Sequence, residues 1–539
     1  MQAPNLFAAI AEAAKGSLSD FNSKDVSRTA WAFAKNGVHA PEFFESIAAV
    51  VERRVREFDW FDLADTAWAF AKCEAQKNDR EATPAASTEA LLGIIGEASR
   101  RVIEDFTPEK LSILAWSFAT ARVEAPRLFE AIARVTSKRS GTFLAKDLAN
   151  MAWAFAEMGI LSNTLVFEAI AKEAPRLIEK FNSQDIASLA WAFAKSKVET
   201  PLLFEAIAKE VPRRISDFSA QDMTSTTWAF AKAKISAPEL FQAIAVETTA
   251  RIDEFGSQDA TSLAWAFATS KIASPKLFSL IASVSRNKVQ LFSTQAMANT
   301  AWAFATADVP APSLFRAIAQ EALEKIDSFS SQSLADLAWA FACVAWKSKT
   351  FFLDLGTALA SRLDDLDAAE KAQLYFVALY VTQTWPDLRA DKDDSFFALS
   401  SFLETLEAAY ISCEPTPSQM QRDVSAALDD IGWTHTIEHE TPEGLSLQLA
   451  QPDAKKALLV IGPEHYLQDP ATSDFQLDGA AKFYKKLLEN FGWHVFHLPF
   501  FTWEKHTSTT QRATMLKAIV DDTTEKNNNL LEEAPARTI

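Results

Sequence analysis

The chain has 539 residues, 48% of them hydrophobic, and a formal net charge of −18. It is long enough for a large core, too apolar for a disordered polymer, and has no run apolar and charge-free enough to span a bilayer. Three scattered cysteines, Cys73, Cys343 and Cys413, exclude a disulfide scaffold and a zinc ribbon. The acidity is uneven: residues 1–350 hold 38 basic and 41 acidic residues, net −3, which leaves −15 for residues 351–539.

The first segment, MQAPNLFAAIAEAAK, predicts a helix almost at once, with no recognisable signal or transit peptide. Trp-x-Phe-Ala then recurs at Trp31, Trp68, Trp116, Trp153, Trp191, Trp228, Trp265, Trp302 and Trp339. The spacings are 37, 48, 37, 38, 37, 37, 37 and 37, the long one coinciding with a polar insertion near residues 74–88. A fixed period of this size predicts stacked supersecondary units. In PLLFEAIAKEVPRRISDF, Phe204, Ile207, Ala208, Val211, Ile215 and Phe218 fall on one helical face, and Pro201 suits the first helical position. In FNSQDIASLAWAFAKSK, Asn182 is placed to cap a second helix with Asp185 in its first turn. Ile186, Leu189, Ala190, Phe193 and Ala194 form its apolar stripe, and Trp191 is expected to widen that stripe as core. Neither helix buries its apolar face alone, so copies must stack. Nine helix pairs are expected over residues 1–345, with a degenerate capping repeat at 346–382. The fold class is therefore mainly α, an α-solenoid followed by a small α/β domain.

Two sets of outward residues stand out. Four or five residues before the second aromatic of the first helix comes a cation in every repeat but the first, which has Gly16 and Ser17 before Phe21: Arg54, Arg101, Arg139, Arg176, Arg213 and Arg214, Arg251, Lys288 and Lys325. Stacked, these make a basic stripe suited to RNA phosphates, or one that merely complements helix dipoles. Three residues before each Trp, and four after it, the residues vary on a constant frame. Asn150, Ser188, Lys195, Ser225, Lys232, Ser262, Thr269, Asn299 and Thr306 are the candidate base contacts, as in a one-repeat-per-base reader. A plain solvated helix face is the alternative.

Residues 383–432 form an acidic connector with helices. The period then changes. THTIEHE, GLSLQLA, KALLVIG and WHVFHLPF read as strands, DGAAKFYKKLLENFG and TSTTQRATMLKAIVDD as helices. This gives an α/β domain over 433–522 with its own core, then a disordered tail at 523–539. His494 and His497, three apart on a strand, point to opposite faces and make a poor zinc chelate. No metal or cofactor is expected.

The pattern P-x-L-F-E-A-I-A … F-x-x-Q-D-x-A-x-x-A-W-A-F-A resembles the octatricopeptide repeats of FAST-kinase-like organellar RNA-binding proteins. Lys110, Ala296 and Ser333 replace the motif Asp in three repeats. The C-terminal part is similar to the RAP domain, through Gly462, Pro463, His465, Lys482, Gly492, Trp493 and Trp503. The RAP fold is thought to be related to restriction endonucleases, whose chemistry needs carboxylates around a metal. Leu459 and Ile461 stand where family members commonly carry acids, so no hydrolysis is expected. The resemblance implies a sequence-selective binder of single-stranded organellar RNA in a mitochondrion or chloroplast. It would act in transcript stability, processing, ribosomal-RNA maturation or translation, with the RAP-like domain recruiting processing proteins and no membrane involved. A protein-binding scaffold and an RNA endonuclease are the alternatives.

Overall fold

The computed structural model describes residues 4–38, 40–76, 85–160, 164–389, 400–412 and 417–521. The predicted tail, Cys413 and most of the insertion lie outside them. The chain divides into two compact bodies, Met1–Leu240 and Phe241–Ile539. Each holds helix-pair repeats stacked as in an α-solenoid. A and B denote the first and second helix of a repeat.

In Met1–Leu240 the B helices are Ser23–Lys35, Trp60–Ala75, Pro108–Ala121, Ala145–Glu157, Ser183–Ser196 and Ala220–Ala233. Each packs on the next, as the A helices do on the other layer. Local chemistry fixes their ends. Proline opens A helices at Pro41, Pro126 and Pro201, where a missing N–H costs nothing. The side chain of Asn22 accepts from Asp25 N, and that of Asn182 from Asp185 N, closing the first turn of their B helices. Pro212 cuts the sixth A helix short. The α-helix is Pro201–Glu210, and Val211–Asp217 continues as a tighter 3-10 segment.

The core is built on phenylalanine. The A-helix Phe of a repeat meets the B-helix Phe edge to face: Phe129–Phe155, Phe167–Phe193 and Phe204–Phe230 have centroids 5.0–5.3 Å apart. Alanines around them are fully buried and let the helices approach closely. Tryptophan corrects the sequence reading. Two residues along a helix is about 200°, so the Trp of W-A-F faces away from its Phe. Trp31, Trp68, Trp116, Trp153, Trp191 and Trp228 are half-buried, on the free face of the B layer.

In Phe241–Ile539 the B helices Ser257–Thr269, Thr294–Thr306 and Ser331–Cys343 stack likewise, and the pair Lys349–Ala360 and Ala368–Thr384 completes a tenth repeat. The α/β domain holds a four-stranded sheet ordered β1-β2-β3-β6, where β1 is Thr436–Glu440, β2 Ser446–Gln451, β3 Lys456–Ile461 and β6 His494–Pro499. β3 and β6 are parallel, with Leu459 opposite His497, and the helix Gly479–Asn490 lies between them in sequence. Two short strands unseen in the sequence, β4 (Tyr466–Gln468) and β5 (Phe475–Leu477), form a separate hairpin. The helix Gln419–Asp430, read as connector, packs Val424 and Leu428 into this domain's core with Trp433, Phe496, Trp503 and Leu516.

Candidate nucleic-acid interface

Along the free face of the B layer in Met1–Leu240 the tryptophans form a ladder. Ring centroids lie 6.0 Å apart for Trp31–Trp68, 6.4 Å for Trp116–Trp153 and 6.5 Å for Trp191–Trp228. Lysines four residues on cover two of the rings: Lys35 Nζ is 4.2 Å from the Trp31 ring centre and Lys195 Nζ 4.5 Å from that of Trp191. An open groove of about 840 Å³ runs over this face, lined by Arg28, Trp31, Lys35, Trp68, Trp116 and Asn150 among others. Of the residues three before and four after Trp, Arg28, Lys35, Asp65, Ile113 and Asn150 line this groove, Asn150 being the one candidate base contact among them. The two positions of a repeat are two helical turns apart, on one face.

The groove holds charges that the sequence did not pair. Lys110, standing where other repeats have the motif Asp, forms a buried ion pair with Asp65 of the preceding repeat. Its Nζ also lies 3.9 Å from the centre of the Phe61 ring. Burial raises the Asp65 carboxyl above its ordinary value, with Lys110 opposing. Lys195 reaches Glu157 at 2.8 Å, joining equivalent positions, four after Trp, of neighbouring repeats. Elsewhere the motif Asp binds across repeats: Asp62 accepts from Ser23 Oγ at 2.7 Å and Ser27 Oγ at 2.9 Å.

The basic stripe has a structural task. Arg54 donates to the Phe21 carbonyl at 2.8 Å, Arg139 to Phe106 at 3.1 Å and Arg214 to Phe181 at 2.9 Å, each 33 residues back. Lys325 donates to the Gln290 carbonyl at 3.1 Å, and Arg251 pairs with Glu247 and Glu254. Arg54, Arg139, Arg214 and Lys325 thus hold carbonyls left open where the A helix of the preceding repeat turns into its B helix. Arg101, Arg176, Arg213 and Lys288 are exposed, Arg213 lying 3.8 Å from Glu210. The stripe is thus first a set of staples between repeats.

A further column was missed. Six residues after Trp, just past the B helix, Arg122, Lys197, Lys234, Lys271, Asp308 and Ala345 adopt the left-handed conformation with φ of 52–56°. Gly37 and Gly159 take the same place in repeats 1 and 4, with φ of 65° and 64°.

In Phe241–Ile539 the α/β domain sits on the corresponding face. Its helix Gly479–Asn490 packs on the B helices of repeats 8, 9 and 10. Asp478, fully buried, caps that helix through Ala481 N and takes the Lys271 ammonium at 2.5 Å. Lys482 reaches Asp308 at 2.6 Å. β4 bridges to the segment after the seventh B helix, with Gln468 N donating to Lys271 O and Ala273 N to Gln468 O, both 2.8 Å. Gly479 lies against the backbone at Ala305. As a result Thr306, a predicted base contact, is only 2% exposed, and this corrects its assignment. The hydroxyl of Thr269 is likewise buried, without a hydrogen-bond partner among the described residues. Ser262 and Asn299 stay half-buried, as do Asn150, Ser188 and Ser225, while Lys232 is exposed.

Within the α/β domain Gly492 makes the turn before β6 with φ of 86°, and Trp493 and Trp503 are buried. Gly462 caps the short turn Pro463–His465. The His465 carbonyl accepts from Asp478 N, and its ring is about half exposed. Leu459 and Ile461 are buried in β3. His497 beside them has no hydrogen-bond partner for either ring nitrogen among the described residues. Burial drops its pKa to about 3, so it is neutral at ordinary pH.

Fold and sequence together define a helical-repeat protein with a C-terminal RAP domain. Residues 458–519 match the RAP domain model. Residues 96–349 match the model of the RNA-editing substrate-binding complex 6 protein, so the chain is similar to that family over its repeats. Both matches point to a role connected with RNA. A comparison with curated proteins gives no match. None of the described helices is long and apolar enough to cross a membrane.

Proposed function

We propose that this chain binds single-stranded RNA in the groove over its B helices and discriminates bases there. The observation that carries this is the groove itself. A constant ladder of half-buried tryptophans carries variable polar residues at two fixed offsets, Asn150 among them. Bases of single strands stack on aromatic faces and are read by side-chain hydrogen bonds. The family similarity supports the reading, since the matched family is named as a substrate-binding part of an RNA-editing assembly. The setting we propose is a mitochondrion or chloroplast, with other RNA-processing proteins as partners. The RAP domain binds and does not cut: buried Leu459 and Ile461 offer a metal no lone pairs.

The test is enrichment from a randomised single-stranded RNA pool by the full chain. A motif should emerge, and Asn150→Asp should change the preferred base at one position while leaving the rest. A pool that stays random, with binding insensitive to salt, supports the protein-scaffold reading instead. Metal-dependent cleavage of labelled RNA, abolished by Glu464→Gln or Asp474→Asn, would overturn the non-catalytic reading of the RAP domain.

A further inference from the structure

The left-handed column past the B helices is rich in cations. Glycine takes that conformation without strain, as Gly37 and Gly159 do. Six further repeats hold Arg122, Lys197, Lys234, Lys271, Asp308 and Ala345 there, each six residues after its Trp. Ala345 carries the same φ with no side chain to aim, so the strain belongs to the turn itself. What sets repeats 3, 5, 6 and 7 apart is that a cation occupies the turn, at the negative end of a helix dipole.

One cation of the column shows what such a residue can hold. Lys271 holds the fully buried carboxylate of Asp478, and that carboxylate arrives on the free face of the B layer. The Asp478 charge also raises the Cys343 thiol, with burial as the larger cause. Cys343 stands four residues after Trp339, at a reading position, so the anion held by Lys271 lies beside the reading positions. In repeats 3, 5 and 6 the equivalent cations Arg122, Lys197 and Lys234 are exposed. Among the described residues Lys197 and Lys234 have no ion-pair partner.

We propose that Arg122, Lys197 and Lys234 form the phosphate track of the RNA site, and that Asp478 stands in repeat 7 where a phosphate stands in the others. This rests on the RNA-binding reading and deepens it. The track is a different line from the Arg54–Lys325 stripe, of which Arg54, Arg139, Arg214 and Lys325 staple one repeat to the next. It places phosphates beside the Trp ladder, so the strand's bases turn toward the rings and the reading positions.

The full chain carrying Arg122→Gln, Lys197→Gln and Lys234→Gln tests this. Its salt slope for binding a single-stranded RNA should fall by about 2, at roughly 0.7 per lost contact, and its affinity should weaken about tenfold or more. A charge-matched control, Lys138→Gln, Lys172→Gln and Lys209→Gln on the A helices, should keep the wild-type slope. The side chains of all six are at the surface, and equal melting temperatures check that both variants are folded. If the wild-type chain binds no RNA, the RNA-binding reading itself falls. If it binds, and the track variant keeps its slope and affinity or the control loses as much, the track is overturned while the RNA-binding reading stands.

Discussion

Gly479→Ala should release the RAP domain from the repeats without unfolding it. A Cβ at Gly479 would lie 1.8 Å from the Ala305 carbonyl oxygen and 2.9 Å from its carbon. Both atoms belong to the backbone of the helix Thr294–Thr306, which no rotamer change can move aside. The domain must back away by more than an ångström. The Lys271–Asp478 pair at 2.5 Å and the two backbone bonds of Gln468 do not survive such a step. Separating a buried ion pair costs about 3–5 kcal/mol when one charge stays buried. Release lets water reach both charges, so about 2–4 kcal/mol of docking energy is at stake. Alanine also favours the helix Gly479–Asn490 by about 0.5–1 kcal/mol over glycine near its start. The isolated domain should therefore be no less stable. Cys343 supplies the assay. Its thiol is held well above its ordinary pKa by burial and by Asp478 and Asp308. Alkylation at Cys343 should be slow in the wild type and at least tenfold faster in Gly479→Ala, with Cys73 as internal reference. An unchanged Cys343 rate, with the variant folded, would refute the docking argument.

Three further outcomes follow from the same geometry. His497 has a folded pKa of about 3 against 6.5, so its stability contribution is present above pH 6.5 and is lost as pH falls toward 3. Near pH 5 that is a loss of about 2 kcal/mol, and His497→Leu should flatten the pH dependence of RAP-domain melting between pH 4 and 6.5. Asp336 is the reverse case. Burial, and then Glu370, raise it to about 6, so its penalty is absent below about pH 4, grows as pH rises from there and is fully present above about 6. Asp336→Asn should add on the order of 2–3 kcal/mol at pH 8 and little at pH 4, read by urea unfolding at the two pH values. Arg139→Gln should cost about 1 kcal/mol, given its partial exposure, and should speed hydrogen exchange where repeats 3 and 4 meet, because it frees the Phe106 carbonyl.

The repeat count, the helix ends and the fold class were legible in the sequence because each is local. A 37-residue period, Pro201 at a first turn and Asn182 three residues before Asp185 state their consequences without a partner. That Ser188 and Lys195 share a helical face was legible for the same reason, since seven residues on a helix return to one face whatever lies opposite. The faces themselves needed the stack. Trp191 and Phe193 are equally apolar, and only packing shows that the Phe meets Phe167 while the Trp meets Trp228 across the groove wall. The Arg stripe looked like a surface charge because its acceptor, a carbonyl 33 residues back, is set by tertiary contact. The RAP domain's seat on repeats 7–10 was beyond reach too. Lys271 and Asp478 are 207 residues apart, and no pattern in either segment specifies the other. Local chemistry fixes helices and their spacing, whereas which charges neutralise one another depends on distances that exist only in the folded chain.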